Sequence, residues 1–187
     1  LSNAEQMGEG WSDFFALMLV TNWATAQAND TRGIGTYVLG QSTSGVGIRQ
    51  YPYSYNIVAS PYDYNYARAN PTVHKLGSAW CAMLWDMTWN IIAMTPASTD
   101  IYHGTGGNNI ALQLVTEGLK LQPCSPGFVD GRDAILLADE ILYNGVHRCA
   151  IWSAFARRGL GFSASQGSSN SMTDGSQATD LPAGLTM

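Results

Sequence analysis

Basic residues are scarce in this sequence: nine lysines and arginines, scattered along 187 residues with one adjacent pair, Arg157-Arg158, against fourteen aspartates and glutamates. No basic patch exists to neutralise nucleic-acid phosphates or to hold an anionic lipid surface, so neither nucleic acid nor membrane is expected as a partner. Long apolar runs are also missing. No stretch approaches the roughly 18 to 20 uninterrupted apolar residues of a membrane span, and the first residues lack the charged and hydrophobic regions of a signal peptide. The chain as it stands reads as soluble. There are only three cysteines and no C-x-x-C pair, which excludes a structural zinc ribbon or a dithiol redox motif. Cys81 lies in a very apolar segment and is expected to be a buried thiol, whereas Cys124 and Cys149 flank one helical segment and either pair or stay free. Charged residues of all kinds make up 12% of the chain, and small polar residues are abundant, a balance that leans towards an extracellular protein.

What is present is apolar and aromatic: 45% hydrophobic residues, with six tryptophans and nine tyrosines, enough for one domain with a sizeable core. Ala4 to Ala28 reads as a helix, although Gly8 and Gly10 weaken it by about 1 kcal/mol each, which predicts a close backbone approach at that point. From Asn29 to Pro71 glycine, serine, tyrosine, asparagine and proline prevail, with one short strand expected at Gly35 to Leu39 in an otherwise long ordered loop. Six tyrosines between Tyr51 and Tyr66 either pin this irregular chain or line a groove. Val73 to Met94, with Thr72 as N-cap, is the expected central helix, apolar nearly all round. Three more helices are predicted over Asn108 to Leu121, Gly131 to Tyr143 with Asp130 as N-cap and Asp133 in its first turn, and His147 to Arg158. Gly145 and Gly159 stand where left-handed C-cap residues belong. Beyond Phe162 the serine- and glycine-rich composition predicts a loosely packed tail or linker.

Gly8-Glu9-Gly10-Trp11-Ser12-Asp13 holds the residues of greatest chemical interest. On a helix Glu9 and Asp13, four apart, project from one face and repel unless a cation or a hydrogen-bond donor lies beside them. An exposed, solvated pair would also explain them. His74, at the start of the central helix, is by position alone a structural histidine as readily as a functional one. For His103 and His147 surface or structural roles are expected.

The run Met7-Gly8-Glu9-Gly10-Trp11-Ser12-Asp13-Phe14 resembles the third-ligand motif of the fungalysins, secreted M36 metallopeptidases. Further blocks follow in family order: Gly47-Ile48-Arg49-Gln50-Tyr51-Pro52-Tyr53-Ser54, Val73-His74-Lys75-Leu76-Gly77, Gly131-Arg132-Asp133-Ala134-Ile135-Leu136 and Phe155-Ala156-Arg157-Arg158-Gly159-Leu160-Gly161. The resemblance covers Leu1 to Gly161. It implies a mainly α fold, the helical C-terminal subdomain of a thermolysin-like (gluzincin) peptidase with about five helices, over residues 1–161, followed by a serine- and glycine-rich segment over 162–187. It implies further that Glu9 is a protein ligand of a catalytic Zn2+, that Asp13 orients a zinc-bound histidine from behind, that His74 donates to the oxyanion, and that Arg49 binds a substrate carbonyl. Protein or peptide substrates and secretion to the extracellular space go with it.

The H-E-x-x-H pair that completes such a site is absent from this sequence, since none of His74, His103 and His147 fits it. The chain is therefore expected to be a fragment beginning downstream of that helix, inactive by itself, whose partner is the upstream H-E-x-x-H half of the same protein. An apolar patch near Trp11 and the first helix, left by the missing half and suited to dimerisation, is expected with it. The competing reading is a non-catalytic helical module that binds through the tyrosine-rich loop.

Overall fold

The computed structural model describes residues 3–185, and its regular structure is helical. In chain order the helices are α1 (Gly8–Val20), α2 (Tyr64–Ala69), α3 (Val73–Met94), α4 (Gly107–Leu121), α5 (Phe128–Tyr143) and α6 (Arg148–Arg157). The mainly α expectation is met, with six helices in place of about five. Every residue of α3 from Leu76 to Trp89 is buried. A helix apolar on all sides needs neighbours on all sides, and α1, α2, α4 and α6 supply them while α5 packs on α4. Trp80 is the hub. Its ring meets Trp11 of α1 at 5.0 Å, Phe128 of α5 at 5.3 Å and Phe155 of α6 at 5.6 Å between centroids, contacts worth about 0.5 to 1.5 kcal/mol each beyond the area they bury.

Several boundaries differ from expectation for local reasons. α1 is shorter than Ala4 to Ala28, because beyond Val20 the chain folds back and the Trp23 indole donates to the Met18 carbonyl at 3.0 Å. α5 begins at Phe128, so Asp130 is not its N-cap: from the first turn it accepts a hydrogen bond from the Gly127 N–H at 2.9 Å, and Asp133 falls in the second turn. Gly145 and Gly159 have φ of 73° and 85°, the left-handed geometry anticipated for them.

The 29–71 region has no strand at Gly35 to Leu39, which is bend and turn; isolated bridges, Arg32 to Tyr53 and Ile34 to Gly47, hold it instead. The short α2 was not anticipated. Six residues show no helical period, and its start is set by the Asp63 side chain accepting from the Tyr66 N–H at 2.6 Å. Tyr53, Tyr62 and Tyr64 are fully buried and pin the chain, while Tyr51, Tyr55 and Tyr66 are half-buried at its surface.

A buried arginine anchors the same loop. Arg158 grips both oxygens of Asp86 at 2.8 Å, through Nε and Nη2, and its other N–H groups donate to the carbonyls of Ser54, Ser60 and Tyr62. Arg157 adds a second guanidinium to Asp86 and lies over the Tyr55 ring at 4.3 Å.

The segment after Phe162 is not loosely packed. Ala164 and Met172 are buried, Gly161 and Phe162 donate to the carbonyls of Ala178 and Asp180, and Ser165 and Ser176 exchange backbone hydrogen bonds. Main-chain contacts of this kind leave no mark in composition. Cys81 is buried as expected, while Cys124 and Cys149 are exposed free thiols. Of the patch expected near Trp11 and the first helix, Trp11 itself is buried against Trp80, while α1 exposes Leu19 and Val20 at its far end. No helix among the described residues is long and apolar enough to cross a membrane.

Candidate metal centre

The N-terminal turns of α1 and α3 cross at two glycines. A Cβ on Gly10 would lie 2.4 Å from the Gly77 carbonyl oxygen, and one on Gly77 would lie 2.6 Å from both the Glu9 Cβ and the Gly10 nitrogen. This is the close approach anticipated for Gly10; Gly8 has open space around it. The crossing brings Glu9 beside His74, one turn before Gly77, with Glu9 Oε2 3.7 Å from His74 Nε2.

A third segment joins them. Gly47, at φ 73°, turns the chain tightly under Ile34, whose carbonyl accepts from the Ile48 N–H at 2.8 Å, and this presents Arg49. The guanidinium forks onto Asp13, Nε to Oδ2 at 2.8 Å and Nη2 to Oδ1 at 2.7 Å, and Nη2 also reaches Glu9 Oε2 at 3.0 Å. Tyr53 donates its hydroxyl to Asp13 Oδ2 at 2.5 Å. The repulsion expected between Glu9 and Asp13 is thus offset by an arginine.

Burial disfavours the Arg49 cation, but the hydrogen bonds it donates to Asp13 and Glu9 outweigh that and hold the guanidinium above the usual arginine range. Burial likewise drives the Tyr53 hydroxyl well above the ordinary tyrosine value, helped by Cys81 and by the Asp13 carboxylate, so Tyr53 remains a donor. The cluster runs from inside to outside: the Asp13 and Arg49 side chains are 4% and 7% exposed, those of Glu9 and His74 42% and 64%. At the open end Glu9 Oε1 has no hydrogen-bond partner among the described residues.

The other histidines lie elsewhere. His147 is buried, its ring 2.8 Å from Asp139, and His103 is exposed beside Asp100. A larger cavity of about 770 Å3 between α3 and α6 is lined by Tyr55, Asn90, Met94, Cys149 and Arg157 among others, with no carboxylate or histidine.

The profile of the fungalysin metallopeptidase (M36) family matches residues 1–164. This chain belongs to the fungalysin family. It is 42% identical over 168 residues to extracellular metalloproteinase 4 of Trichophyton tonsurans, a match covering 84% of this chain and 25% of that protein. It is 40% identical over 188 residues to extracellular metalloproteinase mep of Aspergillus fumigatus, covering 96% and 28%. The chain spans about a quarter of the length of these curated relatives.

The fungalysin family is one of metallopeptidases, and zinc accepts a carboxylate oxygen of the kind Glu9 presents. The described residues nonetheless contain no group of three histidine, cysteine, aspartate or glutamate side chains able to hold an ion. They fit a metal as one corner of a site. Of the fungalysin motif residues, Glu9, Asp13, Arg49 and His74 all meet here. Tyr53 escaped the sequence reading, because a tyrosine among six carries no sign of which one faces a carboxylate; its place in the Arg49-to-Ser54 block was the available signal.

Proposed function

We propose that residues 1–161 are the helical C-terminal subdomain of a secreted zinc endopeptidase, followed by a serine- and glycine-rich segment over 162–187. In this reading Glu9 is a zinc ligand through its open Oε1, and an H-E-x-x-H helix outside these residues supplies two histidines and the general base. Zinc, when bound, polarises the scissile carbonyl and makes water a nucleophile near neutral pH.

The chain's own residues orient and stabilise. Asp13 Oδ1 accepts one hydrogen bond, from Arg49, and keeps a lone pair with which to take the N–H of a ligand histidine, fixing its tautomer. His74, largely exposed, donates from its imidazole to the oxyanion. Arg49 commits Nε and Nη2 to the two carboxylates, while Nη1 has no partner among the described residues and is available to a substrate carbonyl. By itself the chain is inactive, lacking the other ligands.

The observation that supports this most is the meeting of Glu9, Asp13, Arg49 and His74, from three separate segments, with an acceptor and a donor left over at the open end. The test uses the intact protein. Glu9→Ala is expected to abolish stoichiometric zinc and casein hydrolysis together. His74→Ala is expected to keep zinc and lower kcat by about 10²- to 10³-fold. If Glu9→Ala retained both zinc and hydrolysis, the ligand assignment would fall.

A further inference from the structure

Beside the carboxylate cluster lies a cleft of about 410 Å3 lined by Ile48, Arg49, Gln50, Tyr66, His74 and Lys75 among others. It contains two basic side chains in unequal surroundings. Arg49 is neutralised by Asp13 and Glu9. Lys75 has no carboxylate partner among the described residues.

Lys75 is nevertheless held in place. Its ammonium donates to Asn70 Oδ1 at 3.0 Å, and the Asn70 amide is itself fixed by the Tyr66 carbonyl at 2.9 Å. Opposite, the Tyr66 hydroxyl donates to Gln50 Oε1 at 2.8 Å, which sets the second wall. An ammonium has three N–H donors, so two remain after Asn70. A half-buried, pre-positioned cation beside a reacting centre loses little side-chain freedom on engaging an anion, and partial enclosure strengthens the attraction relative to an exposed pair. The ring of Tyr66 and the side chain of Ile48 offer apolar surface to the methylenes that precede a carboxylate.

We propose that Lys75 makes this cleft a subsite for an acidic side chain, so that the peptidase favours substrates with aspartate or glutamate close to the bond it cuts. The inference rests on the peptidase reading above and names a specificity for that site. The chemistry recognised is a carboxylate, which a peptide offers from a side chain or from its own C-terminus. The side chain is the source proposed, because an endopeptidase site is open at both ends to a continuing chain.

The experiment uses the intact, zinc-loaded protein and quenched peptides that differ at one position, carrying Glu, Gln or Lys in turn on each side of the cleaved bond, with amidated C-termini. A parallel series has no acidic residue and a free C-terminal carboxylate. At one position the Glu peptide is expected to exceed the Gln peptide by about tenfold in kcat/KM, the low end for a hydrogen bond to a charged group. In Lys75→Met that ratio is expected to fall to near unity while the Gln peptide is still cleaved, and in Lys75→Glu the Lys peptide becomes the better one. An active enzyme indifferent to Glu, a preference that survives Lys75→Met, or a gain confined to free C-termini overturns the acidic subsite and leaves the peptidase reading standing. If the protein cleaves none of the peptides, the peptidase reading fails and the subsite with it.

Discussion

Asp13 and Asp86 are both nearly buried aspartates, each held on both oxygens by an arginine fork, yet they differ in what lies beyond the fork. Around Asp86 every donor of the buried Arg158 is spent. Arg158 satisfies its N–H groups on Asp86 and three backbone carbonyls, and Arg157 closes the remaining side. Around Asp13 the network opens outward: one guanidinium nitrogen of Arg49 and one oxygen of Glu9 have no partner among the described residues, and the largely exposed His74 ring stands 3.7 Å from Glu9. The same ion pair ties down a loop in one place and presents unused hydrogen-bonding capacity in the other. On the proposed reading, what separates the structural salt bridge from the functional one is valence left over, more than burial or distance.

Mutations can break this contrast. Asp86→Ala strands two cationic side chains, one of them fully buried, and is expected to cost about 3 to 5 kcal/mol in urea unfolding. A loss under about 1 kcal/mol there would mean that the buried trio is not the anchor of the 54–62 loop. Gly77→Ala places a methyl against the Glu9 Cβ and the Gly10 backbone, and about 1 to 3 kcal/mol of overpacking is expected, with weaker zinc binding in the intact protein.

Glu5 sharpens the contrast through pH. It is wholly buried, accepts from the Tyr64 hydroxyl at 2.7 Å and from the Phe128 N–H at 3.0 Å, and burial lifts its carboxyl from 4.5 to about 7 against the pull of those two hydrogen bonds. A carboxyl raised in the folded state stabilises most below its unfolded value, and that contribution is lost as pH climbs through the folded value. The melting temperature is therefore expected to fall as pH rises from 4.5 to about 7, and Glu5→Gln to flatten this slope. A profile unchanged by Glu5→Gln would refute the assignment. The smallest effect is expected for Glu9→Gln on stability. Its half-exposed pairing with Arg49 is worth about 0 to 1 kcal/mol, so the urea midpoint should scarcely move even where zinc binding is lost.

The helical architecture was legible because it rests on period. The apolar wrap of Val73 to Met94 announces a central helix before any coordinates exist, and Gly145 and Gly159 mark turns that only a left-handed residue makes without strain. The candidate site was legible through its motif residues, while its wiring was not. Nothing in the spacing of Arg49 says that its fork closes on Asp13, since a contact across 36 positions depends on how a loop of glycine and tyrosine folds back. The packed segment after Phe162 was hidden for a related reason: main-chain hydrogen bonds and two buried side chains hold it, and neither alters composition enough to read.

At the crossing of Gly10 and Gly77 no side chain stands between the two main chains. Rotamers hop and long side chains bend, so a site spaced by them inherits their looseness. Here the offset between the backbones that carry Glu9 and His74 is set by direct main-chain contact, and main-chain bond lengths and angles barely vary from one protein to the next. Sequence drift can replace much of what surrounds the crossing and leave the alignment intact. It cannot add a single methyl group at either of these two positions without moving one helix off the other.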